Sequence, residues 1–339
     1  MRLKATISIL LIAMLFMVSL STAQTTAKLE ASQAGTISTP QGKVAFMRDG
    51  GVWMIDITDG TQEHLCDVTN ADGRLAWSPD GRQVMFTRSG LASMESPTTG
   101  EGGKHRLYDL FLAVLDSAYA NNRLFWQRVT NSLGSRDPEW SPDGSRVLFY
   151  KDLNAQKVDA DMPNYQICTM APDGSDLQIL RKDYANPGGE FLISPSMNAQ
   201  GDLACIYFAS LKPVGLVVLG KDEYMLGMAT IKERAAKNVQ CMAPCWSPDG
   251  KWLAYVSSNM DEAGLYLTNA DFSQRYLVFK PPVPVNVNLI APSFSPDSKW
   301  LTFSTDDGSV WICDITGNGA RRLCGPGTNR GAAWSPGPK

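Results

Sequence analysis

Residues 245–258 read CWSPDGKWLAYVSS, and near copies stand at 139–150 (EWSPDGSRVLFY) and 76–87 (AWSPDGRQVMFT). Fainter echoes follow at 293–305 (SFSPDSKWLTFST) and 332–339 (AAWSPGPK). A sixth, decayed copy is SPSMNAQGDLACIYF at 194–208, where Met197 takes the aromatic place and Gly201 keeps the turn glycine. The copies centre on Trp77, Trp140, Met197, Trp246, Phe294 and Trp334, and Pro138, Pro195, Pro244 and Pro292 each fall two residues earlier.

Each residue type has a physical reason. Pro fixes φ at the first corner of a tight reversal, Asp bonds its own backbone, and Gly accepts positive φ. The runs that follow, such as KWLAYV and SRVLFY, are apolar or alternating, as buried strands are. The phrase is therefore a β-hairpin, with an aromatic that fills the wedge between neighbouring sheets. A second strand pair follows in each unit: GVWMIDITDG then TQEHLC, NYQICTMAPDG then SDLQILRK, GLYLTNADF then SQRYLVFK, and SVWICDITGNG then ARRLC. Four-stranded antiparallel sheets of this kind bury both faces when arranged radially.

The first unit, Lys43 to Asp67, has three strands and no opening phrase, whereas the chain ends on the phrase with no strands after it. The two ends are incomplete in complementary ways. This predicts an all-β, six-bladed propeller over 43–339, its ring closed by the C-terminal strand in a one-plus-three seam. A sandwich of two large sheets leaves the matching ends unexplained.

Before the repeats, MRLKATISILLIAMLFMVSLSTAQ carries Arg2 and Lys4, an uncharged run from Ala5 to Leu20 and then Ser21-Thr22-Ala23. That is the pattern of a signal peptide over 1–23, with an uncleaved anchor as the alternative. Residues 24–42 are rich in Thr, Ser, Ala and Gln and read as a flexible segment. Export to the periplasm or outside the cell follows, with no membrane insertion after cleavage. Loss of two cations takes the formal charge from -3 to -5. A mildly acidic chain of this kind has no electrostatic pull toward nucleic acid, and a monomeric propeller is expected.

The seven cysteines form no Cys-x-x-Cys pair. Cys66, Cys168, Cys205, Cys313 and Cys324 fall in strand-like runs as small hydrophobes, and an exported setting permits a bridge between Cys241 and Cys245. No metal or other cofactor is implied. The turn aspartates Asp80, Asp143, Asp249 and Asp297 have a complete structural role and sit on different blades.

The repeated W-S-P-D-G hairpins followed by V-W-x-x-D-x-x-G strands resemble the TolB-like propeller repeat, a relative of WD-type repeats, over nearly all of 43–339. The resemblance implies a soluble periplasmic scaffold of the cell envelope. In that family it binds a peptidoglycan-associated lipoprotein and, through its N-terminus, an inner-membrane partner. Members also carry an α/β domain ahead of the propeller, where this sequence has only 24–42. A stand-alone, non-catalytic propeller that binds an envelope protein or peptide is the resulting expectation.

In such a blade, the connections after second strands and those into the next blade emerge on one face. The Ser-Pro-Asp-Gly turns emerge on the other. The insertions 88–105, 152–163, 183–191 and 285–289 all belong to the first, which we term the loop face, and a partner is expected there. Charges just before the phrase should ring the channel mouth: Arg136 and Arg330 four residues before the tryptophan, Arg74 one residue closer, with Asp137, Glu139 and Glu190. A polar funnel for a peptide or anionic group and a merely solvated rim are both consistent with them.

Enzyme readings have less support. Propeller lyases resembling this repeat place a histidine cluster on a metal, and only His64, ending a strand, and His105, in the long insertion, are available. No Gly-x-Ser-x-Gly elbow occurs, and GPGTNRG (325–331) lacks the context of a phosphate loop. The alternative is a carbohydrate-active or hydrolytic propeller with a carboxylate site at the channel mouth. Residues 221–238 read as a strand running into a short helix.

Overall fold

The computed structural model describes residues 39–95, 102–114, 125–156, 163–180, 191–209, 212–221, 241–257, 263–280 and 290–337. Contacts divide the chain into Met1–Thr39 and Pro40–Lys339, and all strands belong to the second unit. The expected signal peptide, most of 221–238, and Glu190 lie outside the described residues.

Six antiparallel sheets follow one another along the chain. Blade 1 contains β1 (Lys43–Arg48), β2 (Gly51–Asp56) and β3 (Gln62–Asp67), and blade 2 contains β4 (Ala71–Trp77), β5 (Gln83–Glu95), β6 (Gly102–Val114) and β7 (Phe125–Arg128). Blade 3 is β8 (Ser135–Trp140), β9 (Val147–Asp152), β10 (Tyr165–Met170) and β11 (Gln178–Ile179). The described strands of blade 4 are β12 (Phe191–Met197), β13 (Leu203–Ala209) and β14 (Lys212–Leu219). Blade 5 is β15 (Cys241–Trp246), β16 (Leu253–Ser257), β17 (Gly264–Thr268) and β18 (Arg275–Phe279). Blade 6 is β19 (Ile290–Phe294), β20 (Trp300–Ser304), β21 (Val310–Asp314) and β22 (Arg321–Cys324). The last strand, β23 (Arg330–Trp334), pairs with β1, so blade 1 runs β23-β1-β2-β3. The seam closes as the two incomplete ends require.

Six apolar clusters fill the six wedges between neighbouring blades. The cluster holding Val44, Phe46, Trp334, Trp300 and Ile312 joins blade 6 to blade 1 and completes the ring. Each repeat aromatic packs toward the blade before it. Trp140 does so with the core of blade 2 and donates its indole N–H to the Ala76 carbonyl at 3.1 Å. Met197 does the same work at the junction of blades 3 and 4.

The turns are built as their composition dictates. Ser78 Oγ donates to Asp80 Oδ1 at 2.6 Å, the Arg82 N–H donates to that same oxygen at 3.0 Å, and the Gln83 N–H donates to Ser78 Oγ at 2.9 Å. Ser141/Asp143, Ser247/Asp249 and Ser295/Asp297 repeat the set. The fourth turn residue has positive φ, at Gly81 (71°) and even at Ser298 (60°). Bonds from the serine hydroxyl and then the backbone N–H hold the Asp80 and Asp143 carboxyls below their ordinary 3.8. A lowered folded-state value means their stabilisation is complete above 3.8 and lost as the pH falls below it. The melting temperature should drop through that acid window, and D80N/D143N should flatten the drop. Calorimetric scans at stepped pH read both.

Two expectations change. The insertion 88–105 is mostly not a loop, because β5 and β6 continue their pairing from Gln83↔Val114 out to Glu95↔Gly102, which places His105 in a strand. Cys241 and Cys245 do not form a disulfide: Cys245 is a free thiol. Both lie on β15, and their partners on β16, Ser257 and Ala254, are three residues apart because of the bulge at Ala243, so roughly 10 Å of strand separates them, beyond the span of a disulfide. Cys66, Cys168, Cys205 and Cys313 are buried and form no disulfide, and burial pushes the Cys66 thiol up to about 12.

Candidate functional site

The innermost strands share a distortion that shapes the channel. In blade 3, Arg136 pairs with Tyr150 but Glu139 pairs with Leu148, so β8 carries one residue more than its partner. Blades 1, 4, 5 and 6 show the same single-residue bulge. At each, the residue three before the aromatic is left-handed: Asp137 (51°), Ser194 (51°), Ala243 (50°), Ala291 (40°) and Gly331 (64°). For residues with a Cβ this costs about 1–2 kcal/mol apiece. The proline that follows in four blades has no N–H to lose where the ladder is broken.

Blade 2 is the exception. Asp72 pairs with Thr87 and Leu75 with Phe86, so two extra residues, Gly73 and Arg74, are accommodated, and the left-handed position falls on Gly73 (74°). This puts Arg74 inside the channel. Its Nη2 donates to the Pro195 carbonyl at 2.6 Å and its Nη1 to the Pro244 carbonyl at 3.3 Å. Nη1 also lies 2.9 Å from Glu139 Oε2. The carboxylate accepts from Ser196 Oγ at 2.7 Å and the Met197 N–H at 3.0 Å through Oε1. Arg74 is 7% exposed. Burial pushes the Glu139 carboxyl above its ordinary value; Arg74 and the two hydrogen bonds pull the other way.

Above this pair, toward the Ser-Pro-Asp-Gly turns, the channel opens into a funnel of about 360 Å³. Its wall is Trp77, Trp140, Met197, Trp246, Phe294 and Trp334, and its rim is Pro79, Pro142, Ala199, Pro248, Pro296 and Pro336. Among the described lining residues, Arg74 and Glu139 are the only charges. Cys245 also lines it, as a thiol that burial raises to about 12, which makes it a poor nucleophile at neutral pH.

The remaining candidates divide. Arg136 lies on the loop-face side, stacked over Tyr108 with its Cζ 4.0 Å from the ring centroid, and 3.5 Å from Asp72. Asp137 accepts from Ser194 Oγ at 2.6 Å. Arg330 is exposed and donates to the Ala71 carbonyl at 2.8 Å, beside a polar cleft of about 640 Å³ that also holds Arg48, Asp49 and Asp306. The expected ring of charges at one mouth is thus split: Arg74 and Glu139 form the channel waist, and Arg136 and Asp137 pair off with neighbours. His64 packs at a tilt of 49° against Trp53, with ring centroids 4.9 Å apart.

Sequence reading missed Asp109, a 5%-exposed carboxylate that accepts from Arg128 Nη2, Thr130 Oγ1 and the N–H groups of Ser132 and Leu133. It lies outside the repeated phrase, and its partners span a strand and the connection to the next blade.

No protein-family model and no curated protein matches this chain. Solved structures do match in fold. TolB from Acinetobacter baumannii superposes with a TM-score of 0.60 at 16% identity, covering 91% of this chain and 70% of that one. A protein described as TolB from Agrobacterium tumefaciens gives 0.56 at 16%, covering 88% and 95%. Hydrazine synthase from Kuenenia stuttgartiensis gives 0.51 at 14%, covering 72% of this chain and 38% of that one. The chain is a six-bladed propeller similar in fold to these TolB structures. Since an enzyme also contains this architecture, the fold leaves catalysis undecided.

Proposed function

We propose that the protein is an exported, non-catalytic propeller of the cell envelope that seats an uncharged, apolar tip of a partner protein in the turn-side funnel. The observation that carries this reading is the lining: aromatic and proline surface around a single, self-compensated ion pair. The rim prolines offer contact area at little cost in side-chain entropy, over a rigid wall formed by the edges of the wedge-filling aromatics, which are 4–6% exposed at Trp140, Trp246, Phe294 and Trp334. TolB structures are among the fold matches and the resemblance implies envelope partners, which supports the compartment. The binding surface moves from the loop face to the turn face, because the loop-face charges are taken up by local partners.

A hydrolytic funnel would need two carboxylates about 5–10 Å apart. The described lining offers Glu139 alone, with both oxygens engaged by Arg74, Ser196 and Met197.

A photo-crosslinking residue at Ala199, on the exposed funnel rim, should capture one envelope protein in intact cells. The same residue at Leu91, 67% exposed on the loop-face hairpin, should not. P248R, which places a long charged side chain on the rim, should cut capture about tenfold, equivalent to ~1.4 kcal/mol. Capture from Leu91 alone, or capture indifferent to P248R, would refute the funnel as the docking site. Mature protein beginning at Gln24 would establish the cleavage that export requires.

A further inference from the structure

We propose that the channel waist is a guanidinium-binding site that the chain fills with its own side chain, Arg74, as a tethered ligand. Three features support this. The acceptors come from three different blades: Glu139 from blade 3, the Pro195 carbonyl from blade 4, and the Pro244 carbonyl from blade 5. Blade 5 stands opposite blade 2 in a ring of six, so the side chain crosses the axis to reach it. The two carbonyl acceptors belong to the repeat itself: both are those of the bulge proline, two residues before the aromatic, in blades with the ordinary single-residue bulge. The two charges are the departures from the repeat: Arg74 is delivered by the extra residue of blade 2, and Glu139 stands where the other units carry Ala76, Ser196, Cys245, Ser293 and Ala333.

The chemistry selects a planar, multidentate cation. Two donors reach two carbonyl oxygens while one of them also faces a carboxylate, a pattern a guanidinium satisfies and a single ammonium nitrogen cannot span. The waist is buried, so removing the cation leaves Glu139 with its desolvation and no counter-charge.

One consequence rests on the funnel being the docking pocket. With Arg74 across the axis, the funnel is a blind socket whose floor presents no uncompensated charge. A partner enters with a blunt apolar tip and does not thread through to the loop face.

The site can be tested without any partner. Arg74→Ala should lower the melting temperature of the full chain, and millimolar methylguanidinium should restore at least half of the loss by binding the native state. Methylurea, neutral and of similar shape, should restore none of it. Wild type, with its site filled, should gain nothing from methylguanidinium, nor should the double variant Arg74→Ala/Glu139→Gln. If Arg74→Ala does not fold, Arg74→Lys and Arg74→Gln carry the test: Lys should melt above Gln, and both below wild type. Absence of rescue, equal rescue by methylurea, or Lys and Gln variants melting with wild type would overturn the proposal. Those outcomes leave the Ala199 crosslink untouched, and failure of that crosslink leaves the rescue untouched.

Discussion

Deletion of residues 329–339 is expected to abolish cooperative thermal unfolding. The deleted segment contains β23, the innermost strand of blade 1, which closes the ring against β1. Trp334, 4% exposed, lies in the cluster shared with blade 6, and Ala333 lies in the cluster shared with blade 2. Truncating a buried tryptophan to alanine alone costs about 3–5 kcal/mol. The lost strand ladder adds several hydrogen bonds at ~0.5–1.5 kcal/mol net each. The Trp334 N–H to Ser293 Oγ and Ser335 N–H to Lys43 O bonds are lost as well. Against a typical total of ~5–15 kcal/mol, little is left. Circular dichroism melts and limited proteolysis would show it, and a truncated protein melting at the wild-type temperature would mean that the seam does not hold the ring.

The second large effect is expected at Asp109. Asp109→Ala removes one acceptor group and strands four donors: a guanidinium, a hydroxyl and two backbone N–H groups. Water reaches the Arg128 side chain, which is 43% exposed, so the cost falls on the stranded hydroxyl and N–H donors, at about 1–3 kcal/mol for each one left unsatisfied. The damage should extend beyond blade 2, because Asp109 fixes the connection whose Leu133 carbonyl accepts from the Tyr108 N–H. Tyr108 in turn supports Arg136. Urea titrations should show a midpoint far below wild type. Leu91→Ala, on the same hairpin and 67% exposed, should sit within the ±0.5 kcal/mol usual for surface changes. Equal midpoints for Asp109→Ala and wild type would show that the clamp is not needed for stability.

Much of the fold was legible because it is written locally. A Ser-Pro-Asp-Gly turn is closed by residues two to five positions apart, and a period-2 run needs only its own neighbours. Five readable copies and one decayed copy therefore counted the blades, and the unmatched ends located the seam. The aromatic at Trp140 or Trp246 announced a wedge, although which blade it packs toward needed coordinates.

The candidate site was legible only in part. Arg74 is visibly out of phase with Arg136 and Arg330, a one-residue shift that a reader can see without knowing its effect. Sequence by itself determined the propeller, its six units, its closure and the positions of its turns, since those depend on near neighbours and on composition. What only the tertiary structure decided is the content of the channel: that Arg74 meets carbonyls 121 and 170 residues away, that Glu139 faces the same waist, and that the apolar mouth is on the turn side. The physical reason is that radial symmetry brings equivalent positions of all six units to one axis. A single inserted residue there reaches three other blades, and no pattern within its own blade records that.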